Sequence, residues 1–152
     1  MITVWGRASS ANVQKVLWTL EDLGVAHERR AVGGRFGGTD DPSFRAMNPN
    51  GLVPVLRDGD LILWESDAIV RHLAETRGTG DVYPDDAAAR ARAAQWTFWT
   101  ATTLIPAVAP LFLGMVRTPH AEQAPEALGP AAEGLAAAMA ILDAHLARQP
   151  FV

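Results

Sequence analysis

The sequence predicts an α/β domain of order βαβ then ββα, followed by an all-α segment, and three observations carry that prediction. Up to about Gly80, short β-prone runs alternate with helical ones. Within that stretch "VPVLRDGDLILW" joins two apolar β-prone runs through Asp58-Gly59, the strongest local signal in the chain. From Asp85 onward the chain turns Ala-rich, keeps a helical period and offers no strand signal.

Ile2 to Trp5 is apolar and β-prone and forms the first strand. Val13, Val16, Leu17 and Leu20 follow at i, i+3, i+4 and i+7, the stripe of a helix facing a core, and Gly24 supplies its stop. The run around Glu28 to Val32 returns as a second strand, and strand–helix–strand order favours a parallel, right-handed crossover. "VGGRFGGTDDPSF" is loop-like; its glycines lack the GxGxxG and GxxxxGK spacings that cradle phosphate, so a mobile connection is expected. After the hairpin comes a helix from about Ser66 to Arg77, with Ile69, Val70 and Leu73 on one side. A parallel unit and an antiparallel hairpin in one sheet with helices against it is a thioredoxin-like order. The boundaries expected are a first domain at 1–78, a linker at 79–86 where Gly, Asp and Pro cluster, and a helical domain at 87–152.

In the helical part, Asp85 and Asp86 suit a first turn, and Trp96, Trp99, Thr103, Ala107 and Leu111 lie along one side. Pro106 and Pro110 are expected to kink or end the run. A second helix carries Leu135, Met139, Leu142 and Leu146 at four- and three-residue steps. Two antiparallel helices bury only part of their apolar surface, so these must lean on the first domain or on further chain.

Composition narrows the function. The 152 residues are 49% hydrophobic, enough for a core, and the net charge of −4 with scattered basic residues leaves no footprint for nucleic acid and no polybasic membrane patch. The start, "MITVWGRASS", lacks the basic start and long apolar run of a secretory signal, and no apolar stretch is expected to approach the roughly 20 residues of a membrane span. A cytoplasmic protein without nucleic-acid or membrane partners is expected. Cysteine is absent, which removes disulfides, thiolate metal sites, a CxxC pair and a cysteine nucleophile, so any sulfur chemistry must come from a ligand. His27, His72, His120 and His145 show no metal-ligand spacing, and no metal is expected.

"GRASSANVQKVLW", "NPNGLVPVL" and "WESDAIVRHLA", in that order and at these separations, resemble the N-terminal half of a bacterial cytosolic glutathione S-transferase. "RTPHAE" and "AILDAHLARQPFV" resemble parts of its helical half, so the resemblance covers the whole chain. It implies conjugation of the glutathione thiolate to small electrophiles, with glutathione as co-substrate, a cytoplasmic homodimer and a role in detoxification. Similar proteins continue further, so the resemblance also makes this a partial, truncated helical domain, lacking a segment expected after Phe151-Val152, with the exposed side of its two helices unusually apolar. Two alternatives stay open: a non-catalytic binding or scaffold module of the same family, or a glutathione-dependent disulfide reductase, isomerase or dehalogenase.

For the site, the resemblance implies a cis Val53–Pro54 bond that turns the Val53 N–H and C=O outward to pair with the cysteinyl part of glutathione. Read on its own, Pro54 is an ordinary strand-start proline. Ser66 can cap the third helix while its hydroxyl and the free helix N–H groups receive the γ-glutamyl carboxylate, with Glu65 facing the γ-glutamyl ammonium; taken alone the pair reads as plain helix capping, a preference that the preceding "NPNG" and "VP" motifs reverse. Ser10 leads as the thiol donor in the serine-type pattern, with Asn12 as co-donor or replacement, although Ser9, Ser10 and Asn12 also compete as N-caps. Leu52 stands where relatives carry Lys, Arg or Gln for the glycyl end, and Arg35 is its substitute. The electrophile pocket is expected between the first half and the long helix, with Trp96, Trp99, Thr102 and Thr103 as candidates by position.

Overall fold

Ile2, Thr3, Val4 and Trp5, all buried, form strand β1 (Ile2–Trp5) in the interior of a four-stranded sheet of order β2-β1-β3-β4. The computed structural model describes residues 1–79 and 82–151, which divide into two compact units, Met1–Asp85 and Asp86–Val152. Of the expected linker, Gly80 and Asp81 lie outside the described residues, as does Val152 of the helical part.

In the first unit, helix α1 (Ala11–Asp22) returns the chain to β2 (His27–Arg30), parallel to β1 as the crossover rule requires. Strand β2 is shorter and earlier than the Glu28–Val32 run, because its pairing ends at Trp5↔Arg30 and the chain then leaves the sheet. Strands β3 (Val55–Asp58) and β4 (Leu61–Trp64) make the hairpin around Gly59, at φ 62, and β3 runs antiparallel to β1. Helix α3 (Ser66–Arg77) follows.

Period-2 alternation sends Ile2, Val4 and Leu56 to one face, where α1 supplies Val16 and Leu20 and α3 supplies Ile69 and Leu73; this is the main core. The opposite face carries Trp5 and Val55 under Phe44. Phe44 belongs to a helix absent from the sequence expectation, α2 (Pro42–Met47), inside the segment read as loop. Asp41 at its N-cap and Pro42 at N1 are helix-start signals, but six residues with one buried side chain leave no periodicity to find.

In the second unit, α4 (Ala87–Trp99) is capped by Asp86, whose Oδ2 accepts from the Ala89 N–H at 2.7 Å. It continues through a π-helical stretch at Thr100–Leu104 into α5 (Ile105–Phe112) and a second π stretch at Leu113–Arg117. Pro106 and Pro110 therefore lie within the run and do not end it; π-helical stretches stand on either side of the segment that holds them. Of the residues expected along one side, Thr103 is exposed while Trp96, Trp99, Ala107 and Leu111 are half-buried. Helix α6 (Gly129–Leu146) turns in Leu135, Ala138, Leu142 and His145, leaving Met139 and Leu146 exposed. Of the expected stripe, Leu135 and Leu142 are thus inward and Met139 and Leu146 are not; Ala138, 4% exposed, and His145, whose ring lies 4.5 Å from that of Trp96, complete this face. Exposed apolar side chains on this unit include Phe98, Leu113 and Val116. Ala87–Arg117 and Pro125–Leu146 are long and apolar enough to cross a membrane by length and composition, which corrects the expectation that no apolar stretch approaches such a span.

Candidate functional site

Strand register gathers the candidate residues of the first unit. Trp5 pairs with Arg30, with Val55 on its other side, and Val55 pairs with Trp64. Four segments therefore leave one end of the sheet: Gly6–Ser10 after β1, the loop holding Arg35 after β2, Val53–Pro54 ahead of β3, and Glu65–Ser66 after β4. All seven candidates, Ser10, Asn12, Arg35, Val53, Pro54, Glu65 and Ser66, lie on these segments or in the first turn of a helix that starts from one.

Ser10 occupies the N-cap of α1 with extended backbone, φ −88 and ψ 123, yet its side chain makes no capping hydrogen bond. Its half-buried hydroxyl is left for another acceptor. Helix bonding begins at Gln14 N–H to Ser10 C=O, 2.9 Å, so the N–H groups of Ala11, Asn12 and Val13 precede the first helical bond. No acidic side chain stands in that first turn to neutralise its partial positive charge. Asn12 is exposed within the same turn, and Ser9 is exposed in the loop.

The Val53–Pro54 peptide bond is cis, and Pro54 is buried. Asn48, only 3% exposed, holds the turn before it: its Nδ2 donates to the Leu52 C=O at 2.8 Å, and its Oδ1 accepts from the Asn50 N–H at 3.0 Å. Asn48 is a site residue that the sequence reading misses: it stands in "NPNG", where Asn is a common turn former, but the buried bond to Leu52 carries no sequence signal. Gly33, at φ 86, packs close to this strand entry; a Cβ there would lie 3.5 Å from Val53 Cγ1 and 3.3 Å from Arg7 Nη1. Arg35 is exposed, its guanidinium 4.9 Å from the Phe36 ring centroid, and Leu52 is 64% exposed.

At α3 the capping expectation is corrected. Glu65, not Ser66, holds the N-cap, at φ 71 and ψ 112, the only non-glycine residue with positive φ among those described. Such backbone costs about 1–3 kcal/mol and concentrates at functional sites. Ser66 is the first helical residue, 5% exposed, without a side-chain cap bond. Ile69 N–H to Glu65 C=O is the first helical bond, so the N–H groups of Ser66, Asp67 and Ala68 precede it. Lys15 of α1 reaches this turn, its Nζ 3.0 Å from Asp67 Oδ1 and 3.5 Å from Ser66 Oγ. Nothing in the linear sequence pairs Lys15 with residues on another helix.

At the far end of the sheet, Asp58 accepts from Arg77 Nη2 at 2.6 Å and His72 Nε2 at 3.2 Å. Burial pushes its carboxyl upward, but the hydrogen bonds and charges of His72 and Arg77 outweigh that and hold it below the usual aspartate value. This cluster ties the hairpin to α3 away from the candidate site. Among the described residues no group of three or more His, Asp or Glu is placed to hold a metal. In the helical unit, Trp96 and Trp99 line a cavity of about 280 Å³ with Ile141 and His145, whereas Thr102 turns its hydroxyl to the Phe98 C=O at 2.8 Å.

Residues 5–80 match the family described as glutathione S-transferase, N-terminal domain. The chain is 48% identical over 150 residues to the glutathione S-transferase GstB of Escherichia coli K12, covering 97% of this chain and 72% of that protein. It is 33% identical over 156 residues to glutathione S-transferase 3 of Zea mays, covering 99% and 69%. A theta class glutathione S-transferase from Xanthomonas axonopodis pv. citri, solved with glutathione bound, superposes with a TM-score of 0.92 at 48% identity, covering 98% of this chain and 72% of that one.

Proposed function

The chain belongs to the glutathione S-transferase family and is a glutathione transferase, and from that premise we propose that Ser10, assisted by Asn12 and the α1 N-terminus, stabilises the thiolate of a glutathione held at the β1/β3 end of the sheet. The observation that carries this reading is Ser10 itself: a helix-capping serine whose hydroxyl is not used for the cap, on a first turn free of acidic side chains.

A free thiol near pKa 8.5 is only a few per cent ionised at neutral pH, and each unit of depression corresponds to about 1.4 kcal/mol. A hydrogen bond to a charged group contributes about 1.5–3 kcal/mol, so one hydroxyl donor and a helix end suffice to make the thiolate abundant at pH 7. The thiol proton passes to solvent. The sulfur lone pair then forms a carbon–sulfur bond to the electrophile, and the leaving group departs with its electron pair, or in an addition the carbanion takes a proton.

The remaining candidates bind. The Val53 backbone pairs with the cysteinyl portion as an added strand, supported by its place at the entry to β3. Ser66 and the N–H groups of α3 receive the γ-glutamyl carboxylate, and exposed Glu65 faces the ammonium. With Leu52 apolar, Arg35 is the cation on the glycine-rich loop for the glycyl end.

Calorimetric titration with glutathione tests the site. Wild-type protein is expected to bind one glutathione per chain, and Ser66→Ala to weaken it by about tenfold or more. A folded wild-type protein that takes up no glutathione overturns the reading.

A further inference from the structure

We infer that Lys15 is a positioning residue for the glutathione carboxylate subsite, acting through Ser66 and Asp67; this rests on the assignment of Ser66 to the γ-glutamyl carboxylate. Two features of the contact geometry lead to it.

The first concerns the direction of the Ser66 hydroxyl. Ser66 is 5% exposed, and the Lys15 ammonium is its neighbour at 3.5 Å. An ammonium only donates, whereas a hydroxyl has one hydrogen and two lone pairs. A hydroxyl that turns a lone pair to Lys15 must aim its own hydrogen elsewhere, and a carboxylate needs that hydrogen. Lys15 thus presets Ser66 as a donor toward the ligand.

The second concerns charge. Asp67 is the one acidic side chain in the first turn of α3, next to the Glu65 N-cap that faces the ammonium, at the helix end whose N–H groups and positive dipole receive the incoming carboxylate. Unpaired, it would repel the ligand. Lys15 neutralises it at 3.0 Å, both side chains being a little over one-third exposed. Lys15 also stands one helical turn after Asn12 on α1, so the same side chain ties the helix end assigned to the thiol to the helix end assigned to the carboxylate.

Two ligands and four variants separate this from simple helix docking. Glutathione and its analogue lacking the γ-glutamyl α-carboxylate, γ-aminobutyryl-cysteinyl-glycine, are titrated into wild type, Lys15→Met, Lys15→Arg, Asp67→Asn and the Lys15→Met/Asp67→Asn double variant. Thermal unfolding of each checks the fold. Lys15→Met is expected to weaken glutathione about tenfold and leave the analogue unchanged, Lys15→Arg to retain most of the affinity, and the double variant to recover much of the loss. Equal weakening of both ligands, or no recovery in the double variant, overturns the assignment. If Lys15→Met does not fold, Lys15→Arg and Asp67→Asn decide it: both must bind glutathione at least nearly as well as wild type, and a tenfold loss in either overturns the inference. Wild type that binds no glutathione rejects the underlying site; wild type that binds it while Lys15→Met binds equally well rejects Lys15 alone.

Discussion

Gly6 links β1 to the loop that carries Ser10, and its lack of a side chain is required by packing. A Cβ built there would lie 2.4 Å from Val13 Cγ2 and 3.2 Å from Cγ1. Val13 cannot give way easily: it is 0% exposed, and a β-branched side chain in a helix is confined to one preferred rotamer. Nor can the loop back off freely, since the Gly6 N–H donates to the Arg30 C=O at 2.8 Å and its C=O accepts from Arg29 Nη1 at 3.0 Å. Gly6→Ala should therefore cost about 1–3 kcal/mol, the usual range for overpacking a closed core. Val13→Ala removes two methyl groups at about 0.8 kcal/mol each and opens a cavity, about 2 kcal/mol in all. Combined, the cavity accepts the new methyl, so the double variant should cost about 1 kcal/mol or more less than the sum of the singles. Urea unfolding gives the three values, and amide exchange in β1 assigns the loss to the first unit. Because Ser10 follows within the same loop, Gly6→Ala should also lower kcat/KM for conjugation and Gly6→Ala/Val13→Ala should restore part of it. Strict additivity, or a Gly6→Ala variant as stable as wild type, refutes the packing argument.

Asn48→Ala strips the turn before Val53 of a buried donor and acceptor; a loss of about 1–3 kcal/mol in unfolding free energy and weaker glutathione binding by calorimetry are expected. Asp58 has a folded-state pKa below its ordinary 3.8, so the stability it contributes is present above that value and is lost as pH falls from there through the lower folded value. Asp58→Asn should cost about 1 kcal/mol at neutral pH, discounted because Arg77 is 39% exposed, and should flatten the acid limb of stability measured by denaturant titration. Ser66→Ala should weaken glutathione while leaving the unfolding midpoint within a few degrees, since Ser66 does not cap α3.

The elements written in local chemistry were readable in advance. β1 and α1 declare themselves by apolar runs of the right period, the hairpin by Asp58-Gly59, and α3 by Ile69 and Leu73. Helix α2 was hidden because one buried phenylalanine makes no pattern. Of the two outcomes expected at Pro106 and Pro110, a kink or an end, the long helix does not end; the π stretches beside α5 depend on backbone bonding that residue identities do not display. Much of the site was named from motif resemblance: cis geometry at Pro54 is a minority state for X–Pro bonds, and no spacing argument selects it. What sequence could not supply is tertiary. Ser66 sits inside α3 while Glu65 takes the strained cap, Ser10 leaves its cap bond unmade, and Lys15 crosses from α1 to Asp67 on α3, none of which residue order displays.

On the proposed reading, Ser10 and the α1 N-terminus ionise the thiol of bound glutathione. Titrating the thiolate ultraviolet absorbance of the protein–glutathione complex against pH measures it directly. A bound thiol titrating at least one unit below the free value of about 8.5 in wild type, and rising by about a unit or more in Ser10→Ala, is predicted. A wild-type complex whose thiol titrates at the free value, or a Ser10→Ala complex with the wild-type pKa, contradicts it.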